Sequence, residues 1–170
     1  MNILFSTLLS ILVLGPITLW PGMKAPDFTA TTTNGSKISL HDYKGKSNVL
    51  LYFYPDDLSR GCTIEACKFR DEKAKFAEAN TVILGVSLNN QTKHQEFTTK
   101  DSLNFPLLVD TDSTICRAYG VPIMMGKYAT RWSFLIGKDG NIVQVYKKVD
   151  PRTHGAEVLQ DVWDYNKMQK

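Results

Sequence analysis

Cysteine is scarce in this chain. Only Cys62, Cys67 and Cys116 occur in 170 residues, too few and too unevenly placed for the disulfide framework of a secreted scaffold. No Cys-x-x-Cys pair is present, so the motif of an oxidoreductase acting on protein disulfides is missing. Histidine is equally sparse: His41, His94 and His154 are scattered, and the Cys62-x4-Cys67 spacing is not that of zinc ligands. No metal site is expected. Charge of one sign is lacking too, because 20 basic residues are interspersed with 17 acidic ones for a net charge of +3. That excludes the basic stripe of a nucleic-acid-binding protein.

The first 23 residues contain no charged side chain. Within them, residues 3–20 (ILFSTLLSILVLGPITLW) form an apolar run of about the length that spans a bilayer as a helix. No Lys or Arg precedes it, and no small-x-small cleavage site stands before Met23-Lys24-Ala25-Pro26, which favours an uncleaved anchor over a signal peptide. Gly15-Pro16 would kink such a helix. The expectation is therefore a hydrophobic segment at 1–23, one domain at 24–170, and a membrane-anchored or exported protein. An ordinary buried helix is the alternative for the run.

From Lys24 onward, apolar and polar runs alternate, and the size is that of one domain able to bury its own core. Residues 28–39 alternate β-formers around Asn34-Gly35, a hairpin signal. Residues 48–54 (NVLLYFY) form a continuous apolar run closed by Pro55, as a strand buried on both faces would. Residues 63–79 carry apolar positions at helical spacing, and 82–87 (VILGVS) read as a second buried strand. Strand, helix, strand implies a right-handed parallel crossover. A polar surface helix at 92–100 and a short strand at 104–109 are expected next. A helix at 112–119 is capped by Asp110 or Asp112, and strands at 133–136 and 142–146 flank an Asp139-Gly140 turn before a last helix at 155–168. The sum is an α/β fold, a thioredoxin-like sandwich with a mixed central sheet and helices on both faces.

One junction draws chemical interest. In YFYPDDLSRGCTIEACKFR, residues 52–70, a cysteine sits where a buried strand gives way to a helix. The unpaired N–H groups and dipole of a helix's first turn favour a thiolate. Arg60 adds a cation nearby, and Ser59 offers a hydroxyl to a bound oxygen atom. Five residues on, Cys67 is rotated by roughly 140° and displaced by about 7.5 Å along a helix, a gap that an intact helix does not let a disulfide close. The bland readings are plain: free cysteines are often small buried hydrophobes, which suits Cys116 and is open for Cys67. Asp56 and Asp57 are turn-formers in a loop. Glu65 either orients an arginine or supports the helix start.

The run Pro55-Asp56-Asp57-Leu58-Ser59-Arg60-Gly61-Cys62 resembles the peroxiredoxin active-site signature Pro-x-x-x-Thr/Ser-x-x-Cys. The continuation through Cys67-Lys68-Phe69-Arg70-Asp71 is similar to the Q-type, bacterioferritin-comigratory-protein branch of that family, and the likeness extends from Gly22 to the strand at Ser133. The chain departs from the branch with Ser59 where Thr is usual and Arg60 where Pro is frequent. The resemblance implies a thiol peroxidase in which Cys62 is the peroxidatic nucleophile and Cys67 the resolving cysteine, with helix unwinding required for their disulfide. It implies Arg131 as the guanidinium beside the thiolate, Ser59 as a hydroxyl donor and Pro55 as a packing residue that shields the pocket. It further implies hydrogen peroxide or organic hydroperoxides as substrates, a thioredoxin-like dithiol as reductant, no metal, haem or flavin cofactor, and a monomer, with a weak dimer as the alternative. A non-catalytic redox-sensing module is the rival from another class, and peroxide turnover separates the two.

Overall fold

The computed structural model describes residues 17–169. Seven strands form one mixed sheet in the order β2-β1-β5-β4-β3-β8-β9. β1 (Thr29–Thr32) and β2 (Lys37–Ser39) make the hairpin around Asn34-Gly35, where Gly35 takes a φ of +84° that its turn requires. β3 (Asn48–Phe53) is the centre of the sheet and is buried at every position. It runs parallel to β4 (Thr81–Ser87) and antiparallel to β8 (Trp132–Ile136). β5 (Leu107–Val109) continues the parallel part, and β9 (Ile142–Tyr146) closes the other edge. β6 (Ile123–Met124) and β7 (Tyr128–Ala129) form a separate two-stranded ribbon ahead of β8.

Because side chains alternate along a strand, β3 feeds two cores. Val49, Leu51 and Phe53 join one cluster with Ile115 and Tyr119, while Leu50, Tyr52 and Tyr54 join the other with Phe69, Phe76, Phe97 and Val158. The second face carries the long helices α1 (Arg60–Glu78), α2 (Gln91–Lys100) and α4 (His154–Met168). The first is covered by the short helix α3 (Thr114–Ala118), a 3₁₀ turn at Leu40–Tyr43 and the chain before β1. Helices thus lie on both faces, unevenly. α1 buries Cys62, Glu65, Ala66, Phe69 and Phe76, the inward stripe of a 3.6-residue repeat. Truncating a wholly buried aromatic on that stripe, such as Phe69, would cost about 3–5 kcal/mol.

The expected anchor at residues 3–20 needs correction where it is described. Residues 3–16 lie outside the described residues, and 17–20 are not helical. Leu19 is buried in the first core cluster, and the Gly22 N–H donates to the Ile142 carbonyl at 2.7 Å. At the end of the apolar run Leu19 therefore packs against the domain, and the chain does not continue a helix. Among the described residues no helix is long and apolar enough to cross a membrane.

Candidate active site

β3 ends at Phe53, and the chain passes through Tyr54 and a short loop into α1, whose N-cap is Ser59. The helix begins at Arg60, three residues before the expected position, which makes Cys62 its third residue. Side chains in a helix lean toward its N-terminus, so the Cys62 thiol is directed at the first turn. Cys62 is 1% exposed. Ser59 makes no side-chain cap; its hydroxyl donates to the Asp56 carbonyl at 2.9 Å. No acidic residue stands in the first turn of α1, so the positive end of the helix is left uncompensated at the sulfur.

Arg131 lies one residue ahead of β8, whose pairing with β3 brings it over the start of α1. Its Nη2 donates to Cys62 Sγ at 3.2 Å, and its Nη1 is ion-paired with Glu65 Oε2. A Cβ on Gly61 would come within 3.3 Å of the same Nη2, so a glycine lets the guanidinium approach closely. Burial works against the Arg131 charge, but Glu65 and Cys62 more than offset it and hold the guanidinium more firmly protonated than a free arginine. Glu65 is buried, and burial raises its carboxyl to about 7 against the opposing pull of Arg131. Its other oxygen, Oε1, is buried with no hydrogen-bond partner among the described residues, which also disfavours the ionised form. Of the two sequence readings of Glu65, the orienting one fits this geometry.

Cys67 is on the same helix, partly exposed and free, as are Cys62 and Cys116. Burial raises its thiol above the ordinary value, with Arg70 opposing. Pro55 is half-buried in the strand-to-helix loop, and Arg60 is exposed and forms no ion pair with a described residue. The structure therefore brings Cys62, Arg131 and Glu65 into contact, sets Ser59 and Pro55 in the adjoining loop, and keeps Cys67 apart.

Sequence reasoning missed two residues beside this loop. Asp57, read as a turn-former, is wholly buried, as is His94 on the nominally polar α2. Tyr54 Oη donates to Asp57 Oδ1 at 2.7 Å, and His94 Nδ1 lies 2.8 Å from Asp57 Oδ2. The only signal for α2's inward face was the spacing of His94 and Phe97, three residues apart. A second arrangement looks like a hydrolytic triad: Ser133 Oγ lies 2.9 Å from His154 Nε2, with Glu157 3.4 Å from Nδ1. Ser133 and His154 have no exposed surface, so this is a buried hydrogen-bond network with no route for a substrate.

The AhpC/TSA family profile matches residues 21–145, the stretch that contains this constellation. The chain belongs to the AhpC/TSA family. It is 40% identical over 154 residues to peroxiredoxin Bcp of Bacillus subtilis, a match covering 87% of this chain and 98% of that protein. It is 43% identical over 144 residues to a putative peroxiredoxin bcp of Coxiella burnetii, covering 81% and 95%. Among solved structures it superimposes on the peroxidoxin BcpB of Mycobacterium tuberculosis with a TM-score of 0.80 at 28% identity, covering 86% of this chain and 97% of that one. The bacterioferritin comigratory protein of Xanthomonas campestris, studied for alkyl peroxide reduction, gives 0.77 at 29% identity, covering 89% and 99%. The chain is thus a peroxiredoxin of the Bcp/Q branch, a thiol-dependent peroxidase with the thioredoxin-like fold.

This kinship completes the correction to location. The two bacterial relatives are matched over nearly their whole lengths, which leaves them no room for an extra apolar segment as long as residues 3–20. With Leu19 packed on the domain and no helix among the described residues long and apolar enough to cross a membrane, the expectation of an anchored or exported protein does not stand.

Proposed function

We propose that Cys62 is the peroxidatic thiol of this peroxidase and Cys67 its resolving partner. The observation that carries the assignment is the 3.2 Å contact from Arg131 Nη2 to Cys62 Sγ at the start of α1. A guanidinium there favours the thiolate and can follow the negative charge as it moves onto the departing oxygen. The Cys62 thiolate attacks the terminal oxygen of a hydroperoxide. The O–O bond breaks, the departing hydroxide or alkoxide takes up a proton to leave as water or an alcohol, and the sulfur becomes a sulfenic acid. Ser59, three residues ahead of Cys62, carries a hydroxyl that can turn from the Asp56 carbonyl to a bound oxygen, and Pro55 packs the loop.

In the second step the Cys67 sulfur attacks the sulfenic sulfur, water leaves with the thiol proton, and a disulfide forms. A thioredoxin-like dithiol then supplies two electrons by exchange, so the cycle balances without metal, haem or flavin. Since α1 is continuous through Cys62 and Cys67, disulfide formation requires its first turns to unwind.

Peroxide turnover with thioredoxin and its reductase tests the scheme. Cys67→Ser is expected to react once with peroxide and then stall, whereas the wild type cycles, yields a Cys62–Cys67 peptide on mass spectrometry and loses helical circular dichroism when oxidised. Turnover of Cys67→Ser at the wild-type rate would show that the enzyme works with one cysteine.

A further inference from the structure

Asp57 and His94 lie outside the reacting centre yet touch what positions it. Asp57 stands two residues ahead of the α1 N-cap, with its backbone N–H donating to Asn89 Oδ1 at 2.8 Å and its carboxylate bound by Tyr54 and His94. His94 Nε2 faces the Leu108 carbonyl at 3.1 Å. Both ring nitrogens face acceptors, an arrangement satisfied in full when each carries a proton. A hydrogen-bonded acid–base pair with no exposed surface gains little net stability, because desolvation offsets the attraction. Its use is to fix a geometry.

The geometry it fixes is strained. Leu58, between Asp57 and Ser59, has a φ of +62°, the left-handed region that a branched side chain avoids. Such strain persists only where the surroundings over-determine it. On one side Asp57 is held by Tyr54, just past the end of β3, and by α2 with its leading loop. On the other, the Asp56 carbonyl accepts from both the N–H and the hydroxyl of Ser59, at 3.4 and 2.9 Å. When the first turns of α1 unwind, Leu58 is free to relax. The loop is therefore loaded toward release, and the Asp57–His94 contact opposes it.

We infer that Asp57 and His94 form a latch that sets how readily the first turn of α1 unwinds, and so divides the Cys62 sulfenic acid between two fates. The inference rests on the Cys62–Cys67 cycle proposed above. With the helix start folded, a second hydroperoxide oxidises the sulfenic acid to sulfinic acid and leaves as water or alcohol. With it unwound, Cys67 forms the disulfide. Both are positioning residues; neither touches the sulfur or the peroxide. A weaker latch raises the unwound population and speeds disulfide formation in proportion, while peroxide attack on the still dominant folded form changes far less.

Stopped-flow tryptophan emission of the reduced full-length protein, mixed with hydrogen peroxide, resolves the two steps as separate phases. Asp57→Asn is the first variant, since the amide oxygen still accepts from Tyr54 and the amide N–H can donate to a His94 ring that keeps its proton on Nε2. The carboxylate on His94 is lost while the Tyr54 contact is kept. Its disulfide phase should quicken by on the order of tenfold, its peroxide phase should stay within about threefold by the same argument, and more peroxide should be needed to reach half sulfinic acid. His94→Asn retains a donor near the Nδ1 position and should behave similarly. His94→Gln places its donor near Leu108 instead and should quicken the disulfide phase further. Unchanged phases in all three variants, or equal slowing of both phases, would overturn the latch. A wild-type trace with no second phase would instead overturn the Cys62–Cys67 cycle, and the latch with it.

Discussion

Cys62 and Cys116 occupy the same place in two helices. Each is the third helical residue, of α1 and α3 respectively, and each is buried, at 1% and 0% exposure. At α1 the thiol meets the guanidinium of Arg131 at 3.2 Å. At α3 it meets a carboxylate: Asp110 accepts the N–H groups of Ile115 and Cys116, each at 2.9 Å. Burial first, and Asp110 next, push the Cys116 thiol far above its ordinary value. A helix start alone therefore does not make a reactive cysteine. At α3 the first-turn N–H groups are spent on an acid, whereas at α1 the sulfur faces a guanidinium; in the proposed cycle the sign of that neighbouring charge separates the nucleophile from the core residue.

The contrast breaks most sharply at Arg131. Arg131→Lys keeps a cation but loses the planar fork that serves Cys62 and Glu65 together. Peroxide attack should slow on the order of 10²–10³-fold, read in the first stopped-flow phase, while circular dichroism stays native. An unchanged first phase would remove Arg131 from the site.

A smaller effect should come from Glu65, the acid on the far side of Arg131, which has no counterpart near Cys116 in α3. Burial raises its carboxyl from 4.5 to about 7, so the folded protein holds this proton more tightly than the unfolded chain. The stability this contributes is fully present below about pH 4.5 and is lost as pH rises toward 7. Between pH 5 and 8, urea denaturation of the wild type should show a loss, relative to Glu65→Gln, on the order of 3 kcal/mol. A pH-independent difference would mean that Arg131 keeps Glu65 ionised throughout.

Smallest of all is the effect of Cys116→Ser. Steady-state peroxide turnover should stay within about twofold, with only a modest stability cost from a buried hydroxyl, about 1–3 kcal/mol. A large loss of turnover would abolish the distinction between the two helix starts.

How much of this was legible in the sequence follows from how strongly each segment is patterned. The runs 48–54 and 82–87 announced the paired central strands because strands buried on both faces are apolar throughout, and Asn34-Gly35 and Asp139-Gly140 marked the hairpins that form. The two-residue strands β6 and β7 were missed, since two residues carry no period. The start of α1 was placed late because Arg60-Gly61-Cys62 shows no helical pattern, and there the N-cap and loop decide. Cys62, Ser59 and Pro55 could be proposed from the signature and Arg131 from the wider family resemblance, but Asp57 and His94 could not. A buried acid and a turn-forming acid are the same letter, and only the fold that brings α2 beside the loop tells them apart. The apolar run before residue 23 misled because length and hydropathy do not distinguish a spanning helix from chain such as Leu19 that packs on a core.

The central claim is that charge at the helix start selects Cys62. It is tested most directly by treating Cys67→Ser with one equivalent of hydrogen peroxide in the presence of a sulfenic-acid-trapping dione and mapping the adduct by mass spectrometry. The account predicts one adduct, on Cys62, with Cys116 unmodified, and no adduct at all once Cys62→Ser is added. An adduct on Cys116, or peroxide consumption that survives without Cys62, would contradict it.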